Sequence, residues 1–391
     1  MERILFATCL PEYITKEMIK QGIVYTQAAQ KFNQLIVKGL CLNGCDVDVL
    51  CVVKEPGFNF PDSYSEIYAE HTVSYHFCNL KGNMLSRNQQ KKRFISKEVR
   101  DWARNNPGGV VIVDSLSPIA VEISKQAKKN RLKLVTHVTD FRDFLYKPSS
   151  IKQKIWQYIL NRQFYSQFSY TTSFVLLTDA MKDRIKIKNR KCVLIDGLCD
   201  YDLTNQATTS YHSDKKVFLY TGSISYMFGL KNLVEGFIKA DMPNAELHLY
   251  GWGDYVEELK QTVIRHPNIR YFSTVPNYEI VKKQAEATYC VNPRPVGDTY
   301  TKYSFPSKTI EYLVAGRPVI TTHLPCITAE YDPHLFYFDN DTIDGIAETL
   351  KRCYHIDNKV LSEQGDRARQ YILTEKNNKK QVSKILDSIK L

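Results

Sequence analysis

Residues 289–322, YCVNPRPVGDTYTKYSFPSKTIEYLVAGRPVITT, constrain the fold of this chain more than any other stretch. A short apolar run at 289–291 reads as a strand and ends in Asn292-Pro293. A polar loop follows, with Gly297 and Asp298 at a turn. Ser304 and Ser307 stand where side chains cap a helix, and that helix carries Lys308, Glu311 and Tyr312. Gly316 is the glycine expected just past a helix end. A new strand, 318–322, starts at once. Strand, loop, helix and strand in this order make one βαβ unit.

The chemistry is expected at the start of that helix. Backbone N–H groups in the first turn lack intrahelical partners and point at the loop mouth, which suits an anion. Lys308 opposes the helix dipole there, a placement that makes sense if a diphosphate shares the site. Glu311 lies on the same helical face, where a carboxylate can accept hydrogen bonds from sugar hydroxyls. Taken alone, the two residues are also consistent with a surface Lys–Glu pair on an ordinary helix.

A length of 391 residues suits two domains, each able to bury its own core. The net charge of +11 is uneven: residues 81–104 carry eight basic and two acidic side chains, and residues 182–191 six and one. A basic first half points to an anionic surface, whether phosphate, nucleic acid or anionic lipid, with plain solubility as the alternative. No run of eighteen apolar residues occurs, so no spanning helix is expected, and residues 1–10 read as a first strand rather than a signal peptide. The ten cysteines show no CxxC and no metal-type clustering, which suits buried, reduced thiols in a cytoplasmic protein.

Along the first half, strands at 4–8, 47–53, 72–78, 110–114, 132–138, 174–178 and 192–196 alternate with helices such as 26–42, 93–104, 118–128 and 151–165. This is the pattern of a doubly wound α/β domain, whose ligands bind beyond the strand C-termini. Residues 11–25 read as a long polar loop containing Gly22. In the helix at 93–104, Ile95, Val99 and Trp102 form an apolar stripe, while Arg93, Lys97, Arg100 and Arg104 form a basic one on the opposite face. The basic stripe is a candidate for an anionic membrane surface, with a solvated face as the alternative. His137 and Asp140 fall at or just past the end of the strand at 132–138. A core histidine and a surface charge cluster are the alternatives for them. Residues 199–215 are polar and aperiodic and read as a linker. The alternation then restarts, with strands at 217–221, 246–250, 269–273, 288–291, 318–322 and 336–339. A basic helical tail covers 364–391. The expected division is a first domain at 1–198, the linker, a second domain at 216–375, and a final helix at 376–391 packing back on the first domain.

Pro306, Ser307, Lys308, Glu311, Tyr312, Gly316, Pro318, Val319 and Ile320 together resemble the donor-site motif of GT-B glycosyltransferases, particularly glycosyltransferase family 4 in its bacterial polysaccharide variant. The resemblance implies an α/β fold of two Rossmann-like domains facing each other across a cleft. It implies that Glu311 holds the nucleotide ribose. The family's first glutamate falls at Tyr303 here. Gly222 and Ser223 resemble the family's phosphate-gripping loop, with Ser223 in place of its arginine and Phe228 in place of its lysine. Lys231, Arg294, Lys302 and Lys308 are the cations available instead. Gly251-Trp252-Gly253 resembles the family's turn near the nucleobase. His137, with Asp140 beside it, is placed near the donor sugar, and Gly22 belongs to a candidate acceptor-side loop.

The activity implied is that of a retaining glycosyltransferase of the hexosyltransferase type, acting in cell-surface or exopolysaccharide synthesis. It would move a sugar from a nucleotide-diphosphate sugar to a hydroxyl of a glycan or lipid-linked acceptor, without a metal or other cofactor and without nucleic acid. Its location would be cytoplasmic, including the inner face of the cell membrane. An inactive glycosyltransferase-like binding subunit and a nucleotide-sugar epimerase of the same fold remain as alternatives. A dinucleotide oxidoreductase is disfavoured because no GxGxxG follows a strand.

Overall fold

The computed structural model describes residues 2–23, 27–53, 58–145, 149–205, 215–297 and 299–390. Residues 24–26 at the junction of the expected polar loop and helix, 206–214 of the expected linker, the turn residue Asp298 and the final Leu391 lie outside these. The chain forms two units, one of residues 1–198 with 378–391 and the other of residues 199–377.

The first unit opens with β1 (Glu2–Ala7), α1 (Glu12–Lys20), α2 (Gln27–Leu42), β2 (Cys45–Val53), β3 (Ser63–Tyr68), β4 (His71–Asn79) and α3 (Met84–Asn105). It continues with β5 (Val110–Asp114), α4 (Ala120–Lys129), β6 (Lys133–Val138), α5 (Arg142–Leu145), α6 (Ile151–Ser166), β7 (Ser173–Leu176), α7 (Met181–Ile185) and β8 (Lys191–Leu194). The sheet order is β3-β4-β2-β1-β5-β6-β7-β8, and every pairing except β3 with β4 is parallel. β1 is buried on both faces. Ile4 and Phe6 join a core with Ile36 and Leu40 of α2, while Leu5 and Ala7 join one with Ile95, Val99 and Ile123 from α3 and α4. Such two-sided burial is why the parallel strands read as unbroken apolar runs.

Two elements differ from expectation. Residues 11–25 are not simply a loop, because α1 occupies Glu12–Lys20. The helix is anchored by Ile14 and Met18, buried four residues apart, although its other side chains are mostly polar. β3 pairs antiparallel with β4 at the sheet edge and alternates exposed with half-buried residues, so it carries no apolar run. The basic helix is also longer than 93–104. The Asn83 side chain accepts from the Ser86 amide and starts α3 at Met84.

The second unit contains β9 (Lys216–Thr221), α8 (Leu230–Ala240), β10 (Ala245–Tyr250), α9 (Val256–Arg265), β11 (Ile269–Phe272), α10 (Asn277–Glu286) and β12 (Tyr289–Asn292). After these come α11 (Ser307–Val314), β13 (Val319–Thr321), β14 (Phe336–Tyr337), α12 (Ile343–Tyr354) and α13 (Asn358–Glu375). All pairings in the sheet β11-β10-β9-β12-β13-β14 are parallel. One face packs Phe218, Leu247 and Tyr289 against Leu233 and Phe237 of α8 and Ile346 and Leu350 of α12. The chain winds outward from β9 through β10 to β11, then returns to β12 on the other side of β9. That reversal opens a crevice beyond the C-terminal ends of β9 and β12.

The last helix, α14 (Asn378–Lys390), belongs to the first unit and lies on α2. Val382, Ile385 and Leu386 are buried there, and the Asn378 side-chain amide donates to the Leu35 carbonyl at 3.0 Å. All ten cysteines are free thiols; Cys78 and Cys192 are half-buried and the rest buried.

Candidate functional site

The crevice of the second unit is built by loops that approach backbone to backbone. Past β9, Gly222 has φ +150° and its amide donates to the Tyr250 carbonyl at 2.8 Å. A Cβ on Gly222 would lie 2.4 Å from Lys308 Cε, so the lysine stem rests on this glycine. Past β10, Gly251 has φ +136°, and a Cβ there would lie 1.8 Å from the Gly222 carbonyl oxygen. Only glycine permits this backbone and this approach. The Ile224 amide donates to the Trp252 carbonyl at 3.0 Å, locking the two loops together.

Helix α11 brings Lys308 and Glu311 to the same place. Tyr312, fully buried, fixes its position: the hydroxyl accepts from the Thr221 amide at 2.9 Å and donates to the Thr221 carbonyl at 3.2 Å. Burial keeps that hydroxyl protonated by raising it well above its ordinary range. Tyr312 thus clamps the helix to the end of β9, and a tyrosine read from sequence only as part of a motif has a definite mechanical role. The expected caps are absent. Pro306 occupies the N-cap position, no side chain caps the helix, and exposed Ser307 is its first residue. Lys308 and Glu311 are both half-buried, one turn apart.

The loop after β12 supplies one wall. Arg294 lies 5.2 Å from the Phe228 ring and 5.4 Å from the Tyr300 ring, and donates to the Ser304 carbonyl at 3.3 Å. Its charge also reaches Tyr220, whose hydroxyl is raised by burial while Arg294 opposes the rise. Since the Tyr220 hydroxyl donates to the Ser223 carbonyl at 2.9 Å, Arg294 is tied to the loop that carries Gly222 and Ser223. Ser223 itself is exposed. Lys302 is exposed, with its ammonium 5.0 Å from the Tyr303 ring, and Tyr303 is buried. Lys231 is engaged elsewhere, 3.0 Å from Glu258 on α9 and 3.7 Å from Glu235.

Trp252, read from sequence only as the middle of a tight turn, is 71% exposed on the loop that meets Gly222. Asn292 at the end of β12 and Thr322 just past β13 are buried, and Asn292 Nδ2 and Thr322 Oγ1 have no hydrogen-bond partner among the described residues. The Asn-Pro step after an apolar run was the available signal for Asn292.

In the first unit, His137 lies next to last in β6, opposite Asp114, at the strand end where it was expected, but its surroundings are those of the core histidine given as the alternative. The ring is fully buried and stacked on Phe32 at 4.7 Å, with both nitrogens unpartnered among the described residues. Burial pushes its pKa down to about 4 against the pull of Asp114, so the imidazole is neutral near pH 7. Asp114, also buried, accepts from the Asn33 side-chain amide at 3.2 Å and the Leu116 amide at 2.9 Å. Asp140 is half-buried and accepts from the Phe141 amide at 2.8 Å. Gly22 ends α1 with φ +74° rather than sitting in a long loop. Arg93, Lys97, Arg100 and Arg104 are exposed on α3, and their charge is partly offset: Lys97 pairs with Glu98 at 2.8 Å, and Arg100 and Arg104 with Asp101 at 3.3 and 3.4 Å.

The sequence holds three Asp-x-Asp triplets, at 46–48, 200–202 and 339–341. In the second, Asp200 accepts from the Asp202 amide at 3.1 Å, and protein groups bond to the four carboxylates of the other two. Asp46 accepts from the Thr72 amide, Asp48 from Trp102, Asp339 from Arg352 and Asp341 from the Val296 amide.

Residues 215–355 match the family described as glycosyl transferases group 1. No curated protein matches the chain in sequence. Among solved structures, it is similar to sucrose-phosphate synthase from Thermosynechococcus elongatus, with TM-score 0.67 and 13% identity over 99% of this chain and 98% of that one. It is also similar to HepE from Anabaena, solved with UDP and glucose, with TM-score 0.61 and 11% identity over the whole of both chains. The lipopolysaccharide outer core galactosyltransferase WaaB gives the same TM-score of 0.61, with 11% identity, again over the whole of both chains. At such identities the likeness establishes the fold, which is GT-B: two Rossmann-like domains.

Proposed function

We propose, from the premise that residues 215–355 form a glycosyl transferases group 1 domain and that the chain is a glycosyltransferase, that it is a retaining enzyme of family 4. In this reading it takes a hexose from a nucleotide-diphosphate sugar and places it on a hydroxyl of a glycan or lipid-linked acceptor in cell-surface polysaccharide synthesis. The observation that carries the reading is the seating of Lys308 on Gly222 at the β9–β12 crevice, with α11 clamped by Tyr312. This places a cation and a helix N-terminus beside the Ser223 loop, where a diphosphate would bind. Glu311, on the same helix, is assigned to the ribose hydroxyls.

In the reaction, the bond between the sugar's anomeric carbon and the phosphate oxygen breaks. A bond from the same carbon to the acceptor oxygen forms on the same face. The acceptor proton passes to the departing phosphate oxygen. Lys308, Arg294 and the amides near Ser223 and Ser307 stabilise the charge that grows on the diphosphate. No metal or cofactor is assigned a part. Tyr303, in place of a glutamate, leaves the donor sugar to be held by the Arg294–Lys302 wall. Docking of the basic face of α3 on an anionic membrane would bring the enzyme to a lipid-linked acceptor.

An inactive binding subunit is the second reading. It is favoured by Ser223 and Phe228 standing where the family has cations and by the engagement of Lys231 with Glu258. Incubation with a panel of nucleotide-diphosphate sugars, without acceptor, separates the two. Slow release of free nucleotide from one donor is expected of the enzyme. Donor binding with no release, with or without acceptor extracts, would favour the subunit.

A further inference from the structure

Helix α6 is built the wrong way round for a helix in water. Gln153, Gln157 and Leu160, spaced i, i+4, i+7, form its half-buried side. Ile151, Ile155, Trp156, Tyr158 and Ile159 face outward, between 39% and 76% exposed. A surface helix normally turns its apolar stripe to the core, and a contiguous exposed apolar patch marks a surface that something covers. The helix holds its place through its last turn, where Phe164 is buried.

The charges around the patch identify the cover. The sequence of α6, IKQKIWQYILNRQFYS, contains no carboxylate, and Lys152, Lys154 and Arg162 are exposed among the isoleucines. Neighbouring α4 touches both α6 and α3 and exposes Lys125, Lys128 and Lys129. Between α3 and α4 lies an open groove of about 420 Å³ lined by Lys92, Arg93, Lys97 and Arg100, with Glu122 as its one carboxylate beside Ser96 and Gln126. One helical face of the first unit therefore carries more basic than acidic side chains, even with Glu98, Asp101 and Glu122 among them, and is apolar at one end. A second copy of the same face would meet it with like charge. An anionic bilayer complements both properties: Trp, Tyr and Ile enter the interface while lysines and arginines lie at the headgroups.

We infer that α6 is a membrane-docking helix, inserting Ile151, Ile155, Trp156, Tyr158 and Ile159 into the interface of an anionic bilayer while α3 and α4 hold the headgroups. The inference rests on the membrane reading given above and adds to it the element that enters the lipid.

The test uses the full chain with vesicles of phosphatidylcholine alone or with phosphatidylglycerol. Binding to the anionic vesicles only is expected, weakened at high salt. The double variant Ile155→Glu with Trp156→Glu should lower partition at least tenfold, while its far-UV spectrum and melting temperature stay those of the wild type. Independently of any loss of fold, bromine-labelled lipids should quench tryptophan emission of the wild type, and the quenching should largely vanish in Trp156→Phe. Binding that persists in the double variant without quenching of Trp156 overturns α6 as the docking helix and leaves the membrane reading standing on α3. Absence of binding to either vesicle type overturns both. A dimer in sedimentation equilibrium, abolished by the double variant, without vesicle binding assigns the patch to a second copy and overturns the proposal.

Discussion

At Gly222 a single methyl group probes the contact on which the donor site depends. Gly222→Ala would place its Cβ 2.4 Å from Lys308 Cε and force a side chain into φ +150°. Lys308 must move, and donor affinity is expected to fall about tenfold, or about 1.4 kcal/mol. In a Lys308→Ala background the further loss should shrink markedly, because neighbours that touch are not additive; calorimetric titration of the double-mutant cycle measures this. His137 gives a different residue-scale expectation. Its folded pKa of about 4 lies below the ordinary 6.5. The unfolded chain therefore takes up the proton first, and stability falls as pH drops from 6.5 through 4, by up to about 3 kcal/mol. His137→Phe, stacked on Phe32, should flatten that part of the stability–pH curve. Urea melts across pH 4–7 provide the measurement, and an unchanged slope would show that the ring is accessible to protons in the fold.

At the scale of elements, the clamp on α11 is the part that most needs testing. Tyr312→Phe leaves the buried Thr221 amide without its acceptor, and a stability loss of about 1–3 kcal/mol is expected in denaturant unfolding, together with weaker donor binding. The loop behind it makes a second prediction. Tyr303→Glu would restore the family's carboxylate but bury it, since Tyr303 is only 9% exposed. The variant should melt at a lower temperature and gain no turnover, and a rise in turnover would show that position 303 opens to the donor. The order of elements around this loop was legible in the sequence: β12, α11 and β13 announce themselves as two apolar runs around a helix closed by Gly316. The helix cap was not, because Ser304 and Ser307 look like caps while Pro306 takes the position through backbone geometry that composition does not encode. α1 and β3 were missed for a related reason. Each buries little of its surface, so neither leaves a strong periodic signal.

For the whole molecule, two α/β units could be read from alternating apolar runs and a polar break, since buried parallel strands leave that trace wherever they occur. The candidate site was legible as a motif, but its assembly was not. Nothing in the spacing of Gly222, Gly251 and Tyr312 states that two glycine loops lie backbone to backbone or that a phenol pins α11 to β9. Nor does the sequence of the strand 133–138 show that His137 faces the core. Lys231 illustrates the same limit, because its partner Glu258 is distant in sequence and only the fold pairs them. The central claim is that Lys308 and Glu311 hold a nucleotide-diphosphate sugar at the β9–β12 crevice. Isothermal titration of the donor found by nucleotide-release screening, into wild type, Lys308→Ala and Glu311→Ala, tests it most directly. Both variants should keep the wild-type melting temperature, and each should lose about 1.5–3 kcal/mol of binding free energy, the worth of a hydrogen bond to a charged group. Donor affinity unchanged in both variants would contradict the account.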